Sequence, residues 1–260
     1  MSEVLVPLKA GAETEPLFLA HGMGGSVGEF RDLVKFIRTE RSIYGMQAKG
    51  NDGVEEPFVR IEDLAAYLLD AIQKVQPSGP YFLIGYSLGG LVAMEMAQRL
   101  ASQGQIVGLL AMLESYPHPA QFALWQRIRL ALHDGKRHIS AVMNPPARFN
   151  QYLKSSGHGS RDQIRSAFQS RSAIMRRAYD SAYGAWKHYQ PRFYEGKIHF
   201  VRAAISTIYP DDPIAIWGKL ASGLEVETIQ GDHHGILTEH CEMLGSLLSR
   251  LIARTPEAIR

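Results

Sequence analysis

The sequence predicts an α/β fold: a mostly parallel central sheet flanked by helices, with a helical lid inserted between two strands. Three observations predict it. Apolar strand-like runs alternate with helical spacing through the first half of the chain, a rhythm that implies parallel strands joined by right-handed crossovers. A Gly-x-Ser-x-Gly turn, Gly85-Tyr86-Ser87-Leu88-Gly89, lies between one such strand and one such helix. From about 118 to 190 no strand pattern occurs, and that stretch is too long for a simple loop.

The elements follow in order. Leu17-Phe18-Leu19-Ala20 reads as a buried strand bounded by Pro16 and a Gly-rich loop. Glu29 to Ile37 has helical spacing, and Ser42 to Met46 reads as the next strand. Ile61, Leu64, Ala65, Leu68, Leu69, Ile72 and Val75 fall at the i, i+3, i+4, i+7 spacing of an amphipathic helix, which Pro77-Ser78-Gly79-Pro80 stops. Tyr81-Phe82-Leu83-Ile84 leads into the Gly-x-Ser-x-Gly turn, and a helical pattern from Leu91 follows. Ile106 to Leu113 is an apolar run typical of a strand buried on both faces. After the helical stretch at 118–190, Lys197 to Ala203 resumes the sheet, Leu224 to Ile229 alternates as an outer strand, and Glu239 to Ala253 forms a final helix. The whole of 1–260 reads as one domain with that lid.

A chain of 260 residues is long enough to bury a substantial core. Hydrophobic content of 45% and charged content of 21% place it among ordinary soluble globular proteins. The N-terminus lacks the basic and apolar regions of a signal peptide, and no apolar run approaches a membrane span. The single cysteine, Cys241, excludes an intramolecular disulfide and reads as a small buried hydrophobe in a helix. A cytoplasmic protein without membrane contact is the expectation. The net charge of +2 conceals an uneven distribution: the segment Pro119–Gln190 carries +9 and the remainder −7. Such asymmetry points either to an anionic partner or to a solvated helical surface. No nucleic-acid-binding motif accompanies the charge, so nucleic acid is not the expected partner.

The Gly-x-Ser-x-Gly turn between strand and helix is the nucleophile elbow of the α/β-hydrolase fold, and it marks Ser87 as a nucleophile. The turn is so tight that glycines must flank the serine where strand and helix nearly touch. A serine hydroxyl needs a general base, and the base needs an orienting acid, in the chain order Ser, acid, His. Gly231-Asp232-His233-His234-Gly235 supplies the histidine, just after the 224–229 strand. A metal reading of Asp232-His233-His234 lacks a second ligand cluster, so no metal is expected. Glu114 ends the strand after the elbow helix, where catalytic groups gather in open α/β sheets. Asp211 and Asp212 compete as the acid, and their alternative role is a turn and helix N-cap before Pro213. The oxyanion donors are expected to be the backbone N–H of Leu88 and, from His21-Gly22-Met23-Gly24-Gly25-Ser26, that of Met23. The glycine spacing in this loop does not match a dinucleotide-binding pattern.

With these residues in view, the chain resembles the type I thioesterase domains that end nonribosomal peptide and polyketide synthases. The resemblance covers nearly all of it. It rests on Val6-Pro7-Leu8, His21-Gly22-Met23-Gly24-Gly25, Tyr44 to Gly50, Gln76 to Tyr81, the Gly-Tyr-Ser-Leu-Gly-Gly elbow, Tyr194-Glu195-Gly196-Lys197, Trp217 and Gly231-Asp232-His233. In that family the catalytic histidine directly follows Gly-Asp or Gly-Asn, which selects His233 over His234. The acid ends the strand after the elbow helix, where the family usually has aspartate; Glu114 departs from that, and Asp212 stays open. The resemblance implies a thioesterase that takes an acyl, polyketide or peptidyl chain from the phosphopantetheine of an acyl or peptidyl carrier protein onto Ser87. Release follows by hydrolysis or cyclisation. No cofactor of its own is implied. These domains normally follow a carrier domain, and none is visible here, so either a discrete protein or a domain cut from a longer chain is expected. The alternatives are a small-ester hydrolase and a degenerate, non-catalytic acyl-binding protein.

Overall fold

A computed structural model describes residues 4–50, 53–118, 161–205 and 212–255. Much of the lid stretch expected at 118–190, and Asp211, lie outside the described residues.

The described residues form a seven-stranded sheet in the order β1-β3-β2-β4-β5-β6-β7. The strands are β1 (Leu5–Lys9), β2 (Ala12–Ala20), β3 (Arg41–Met46), β4 (Tyr81–Tyr86), β5 (Val107–Leu113), β6 (Tyr194–Ala203) and β7 (Ala221–Ile229). Only β1 runs antiparallel, against β3; the other neighbours pair parallel. The parallel sheet expected from the alternating pattern is therefore observed. The strand at Leu5–Lys9 was not anticipated. It carries Pro7 and sits at the sheet edge, where a missing N–H leaves no central ladder incomplete.

Helices cover both faces. α1 (Ile61–Val75) and α2 (Leu88–Ser102) cover one, and α5 (Cys241–Arg254) covers the other. α3 (Arg161–His188) is the described part of the inserted stretch, and α4 (Ile214–Trp217) is one short turn. Strand alternation sorts the core. Phe18, Leu83, Leu110 and Met112 face α1 and α2, whereas Leu17, Leu19, Ile84 and Leu113 face α5. Every residue of β4 is buried, as expected of a central strand.

One expected helix is different. Glu29 to Ile37 forms two 3-10 turns, Val27–Phe30 and Leu33–Phe36, not an α-helix. The side chains that set the periodicity, Phe30, Leu33, Val34 and Ile37, are all buried, so the buried face was read correctly. An i, i+3 spacing serves a 3-10 turn as well as an α-helix. Gly245 of α5 lies against this segment: a Cβ there would come 2.5 Å from that of Phe36.

Candidate functional site

The sheet topology brings the chemistry to the C-terminal ends of β2, β4 and β5. Ala20 of β2 pairs with Gly85 of β4, and Tyr86 pairs with Leu113 of β5. Ser87 and Glu114 are thus the first residues beyond two neighbouring strands. Ser87 N–H donates to Leu113 O at 2.8 Å, and Glu114 N–H donates to Val201 O at 2.8 Å.

Both residues adopt backbone angles that L-residues avoid. Ser87 has φ 55° and Glu114 φ 48°; among the described residues they are the non-glycine positions with positive φ. Such conformations cost about 1–3 kcal/mol each and persist only where the surroundings enforce them. At the elbow the enforcement is visible. A Cβ on Gly85 would lie 2.5 Å from Gly90 Cα, and one on Gly89 would lie 2.7 Å from Ala20 C. Strand, turn and helix touch through bare backbone, and the serine is turned outward. The Ser115 hydroxyl donates to Ser87 O at 2.5 Å, and Trp217 Nε1–H donates to Ser115 O at 3.1 Å.

The serine, histidine and glutamate singled out from the sequence meet here. Ser87 Oγ lies 3.2 Å from His233 Nε2, and His233 Nδ1 lies 3.4 Å from Glu114 Oε2. A carboxylate only accepts, so Nδ1 carries the ring proton and Nε2 presents its lone pair to the serine hydroxyl. The other oxygen, Glu114 Oε1, accepts the Ala203 N–H at 2.6 Å, which fixes the carboxylate from β6. Glu114 is 5% exposed. Asp212 is elsewhere engaged: its Oδ1 accepts the Ala215 N–H at 3.1 Å at the start of α4.

His233 is held by its own loop and by Tyr86. Gly231 takes φ 98°, and Asp232 Oδ1 accepts the N–H groups of His234 at 3.1 Å and Gly235 at 2.8 Å, closing an Asx turn. The Tyr86 hydroxyl donates to His233 O at 2.8 Å, and its ring lies 5.0 Å from the imidazole at 29°. Partial desolvation of the His234 ring, together with the neighbouring His233 charge, lowers its pKa.

Met23 lies three residues beyond Ala20, and Leu88 three beyond Gly85, on segments that the β2–β4 pairing sets side by side. Leu88 opens α2, so its N–H belongs to the first turn, which lacks intrahelical acceptors and sits at the positive end of the helix dipole. Met23 is partly buried against the α1–α2 core. Its loop is tied at Gly22, whose N–H donates to Glu29 Oε1 at 2.5 Å and whose carbonyl lies 2.6 Å from His21 Nδ1. Burial keeps the His21 pKa low, so the ring is neutral and donates from Nδ1. Sequence reasoning missed Glu29, Tyr86 and Ser115 as members of this site. Tyr86 stood inside the elbow motif; Glu29 and Ser115 carry no motif, and only the fold brings them in.

A family model described as a thioesterase domain matches residues 15–254. A dimodular nonribosomal peptide synthase of Bacillus subtilis (strain 168) is 33% identical over 246 residues, covering 88% of this chain and 10% of the synthase. Malpibaldin synthetase of Mortierella alpina is 30% identical over 200 residues, covering 77% of this chain and 3% of the synthetase. The chain therefore spans a tenth or less of these curated relatives. Among solved structures, the NocB thioesterase domain in covalent complex with a fluorophosphonate nocardicin G analogue superposes with a TM-score of 0.70 at 19% identity, covering 95% of this chain and 99% of that one. YbtT, a type II thioesterase of the yersiniabactin biosynthetic pathway, gives 0.69 at 19% identity, covering 98% of this chain and 100% of that one. At these identities the likeness is one of fold.

Proposed function

Because the chain belongs to the thioesterase-domain family, we propose that it releases an acyl, polyketide or peptidyl chain from the phosphopantetheine arm of a carrier protein through an acyl-enzyme on Ser87. The observation that carries this reading is the continuous path from Ser87 Oγ through both nitrogens of His233 to the Glu114 carboxylate. One relative that matches most of this chain is a dimodular nonribosomal peptide synthase, which favours a carrier-bound thioester over a free ester.

In the proposed reaction Ser87 Oγ attacks the thioester carbonyl while His233 Nε2 takes its proton. Glu114 holds the ring and balances the imidazolium that forms. Its contact with Nδ1 is long at 3.4 Å, and such contacts tighten as charge develops on the ring. The tetrahedral oxyanion is met by the N–H groups of Leu88 and Met23. The C–S bond then breaks, and the departing phosphopantetheine thiol takes the proton from His233. A water, or a nucleophile within the chain, attacks the acyl-enzyme with His233 again as base, which frees the acid or the ring and restores Ser87.

Intact-mass analysis after incubation with acylated carrier protein tests this. An adduct of the acyl mass is expected on the wild-type protein and none on Ser87→Ala, whose turnover falls by roughly 10⁴–10⁶-fold. Normal loading of Ser87→Ala sinks the assignment. The mass of the released product separates hydrolysis from cyclisation.

A further inference from the structure

We propose that Glu29 is a positioning residue for this reaction: its carboxylate anchors the loop after β2 through the Gly22 N–H and thereby aims the Met23 N–H at the oxyanion. The inference rests on the reading of Ser87 and Met23 given above and extends it to a residue outside the elbow, the histidine loop and the acid.

The argument starts from what Gly22 lacks. A glycine at the base of the loop has no side chain to restrict its two backbone angles. No Cβ fits comfortably, since one would lie 3.1 Å from Tyr86 Cδ1 and 3.3 Å from Glu29 Oε2. The site thus places at Gly22 the residue least able to hold its own conformation, and the ties must come from outside. They come on both sides of the residue. The preceding peptide is fixed by Gly22 N–H donating to Glu29 Oε1 at 2.5 Å. The following peptide is fixed at Gly22 O, which accepts from His21 Nδ1 at 2.6 Å and from Gly25 N–H at 3.1 Å. A trans peptide is planar, so its N–H points opposite to its carbonyl. Fixing Gly22 O therefore fixes the direction of the Met23 N–H. With Glu29 removed, the peptide before Gly22 loses its anchor, only the ties on the Gly22 carbonyl remain, and the Met23 donor is held less firmly in its aim.

Glu29 itself stands on a firm base. It belongs to the 3-10 turn Val27–Phe30, in which Val27 and Phe30 are buried and the Ser26 hydroxyl caps Gly28 N–H at 3.2 Å. The same carboxylate and the Tyr86 ring both border the space that a Gly22 Cβ would occupy, and the Tyr86 ring stacks on His233. The oxyanion loop and the histidine are thus packed through one contiguous set of contacts. Burial pushes the Glu29 carboxyl up to about 7, against the pull of the Gly22 bond. An ionisable group retained where its charge is disfavoured is a common mark of a functional site.

Two variants separate the acceptor from the volume. Glu29→Gln keeps an acceptor oxygen for Gly22 N–H; Glu29→Met keeps the length and removes it. Active-site titration with a fluorophosphonate gives the competent fraction, to which kcat is normalised. If the wild-type protein does not label at Ser87, the reading of the reaction fails, whatever Glu29 does. If it labels, Glu29→Met is expected to lower normalised kcat by about 10- to 100-fold with KM little changed. That is less than the roughly 10²–10³-fold lost with an oxyanion donor itself. Its affinity for a trifluoromethyl ketone analogue, whose adduct carries an oxyanion, falls by the same factor. Glu29→Gln is expected to stay within about threefold of wild type in both. Unchanged kcat and ketone affinity in Glu29→Met, or a loss in folded Glu29→Gln as large as in Glu29→Met, overturns the proposal. If Glu29→Met does not fold, a more than tenfold loss of ketone affinity in Glu29→Gln overturns it alone.

Discussion

Ser87 and Glu114 break a local rule that the rest of the described chain keeps, since both are L-residues at positive φ. Strain of this kind is a reason to look for function, because selection for stability alone would relax it. In Glu114 it aims a long side chain so that one oxygen reaches Ala203 N–H at 2.6 Å and the other His233 at 3.4 Å. Aspartate is shorter by one carbon–carbon bond, about 1.5 Å, and cannot hold both. Glu114→Asp is therefore expected to lower kcat at least about tenfold, and Glu114→Gln by roughly 10³–10⁴-fold, the scale of losing an orienting carboxylate. Asp212→Asn, which only weakens a cap on α4, is expected to stay within about twofold. Steady-state kinetics on the three variants decide, and a reversed ranking moves the acid to Asp212. Glu29 makes a different claim, on stability. Its folded pKa is raised from 4.5 to about 7, so the folded protein binds this proton more tightly than the unfolded chain. The stability so gained is full below about pH 4.5 and lost as pH rises through 7. His21 acts in the opposite sense: its folded pKa is lowered, so its contribution is full above 6.5 and declines as pH falls below that. Comparing Glu29→Gln with wild type cancels the His21 contribution. The variant is expected to have the higher Tm at pH 8, with the gap closing towards pH 4.5 in a thermal-melt series. A gap independent of pH contradicts the assignment of the buried charge.

Where α2 meets β2, packing and chemistry constrain each other. A Cβ on Gly89 would meet the backbone of Ala20 and His21, atoms that cannot swing aside. Gly89→Ala must therefore push α2 away from the strand end that carries the His21–Ser26 loop. Overpacking of this kind costs typically about 1–3 kcal/mol, and here it also separates Ser87 from Met23. Both Tm and the rate of fluorophosphonate labelling are expected to fall. Gly184 in α3 is the contrast, with nothing within 4 Å of its would-be Cβ; Gly184→Ala is expected to stabilise by roughly 0.5–1 kcal/mol without touching the labelling rate. Legibility in the sequence divided along the same line. Periodicity or continuous apolarity alone located α1 and β4, because burial on one face or both leaves a pattern in the chain. β1 was not legible, since Pro7 in a short edge strand resembles a linker. The winding of the 27–36 segment was not legible either, because its buried side chains are spaced for both kinds of helix. At the site, Ser87 and His233 announce themselves by flanking glycines and by position after a strand. Glu114 was one of several acidic residues near strand ends, and Glu29 had no signal, since its role depends on a loop that folds back over seven residues.

At the scale of the whole molecule the net charge of +2 divides into +9 over Pro119–Gln190 and −7 elsewhere. Most of the basic segment lies outside the described residues, and what is described of it is α3 and the two residues after it. There Arg176 is exposed, while Arg177 pairs with Glu56 across to the segment before α1. The side chains of that pair are 46% and 81% exposed, and such a pair contributes about 0–1 kcal/mol. Its presence changes which arginine is a clean probe. Reversing Arg177 removes an ion pair as well as a charge, whereas Arg176 has no ion pair among the described residues and its reversal alters chiefly the field. On the function proposed above, the phosphopantetheine arm brings at least its phosphate, and a basic segment would raise the rate of encounter with it. Steering of this origin weakens as salt shortens the Debye length to about 8 Å at physiological ionic strength. The expectation is that kcat/KM for a carrier-bound acyl substrate falls as ionic strength rises, while a small neutral thioester responds little. Arg176→Glu is expected to lower kcat/KM for the carrier substrate at low salt and to flatten its salt dependence, with the small thioester unaffected. The exchange of Arg177→Glu with Glu56→Arg keeps both the pair and the net charge, and is expected to leave the salt slope close to wild type. Equal salt sensitivity for the two substrates would mean that the +9 segment acts as solvated surface and that encounter with the carrier is governed elsewhere.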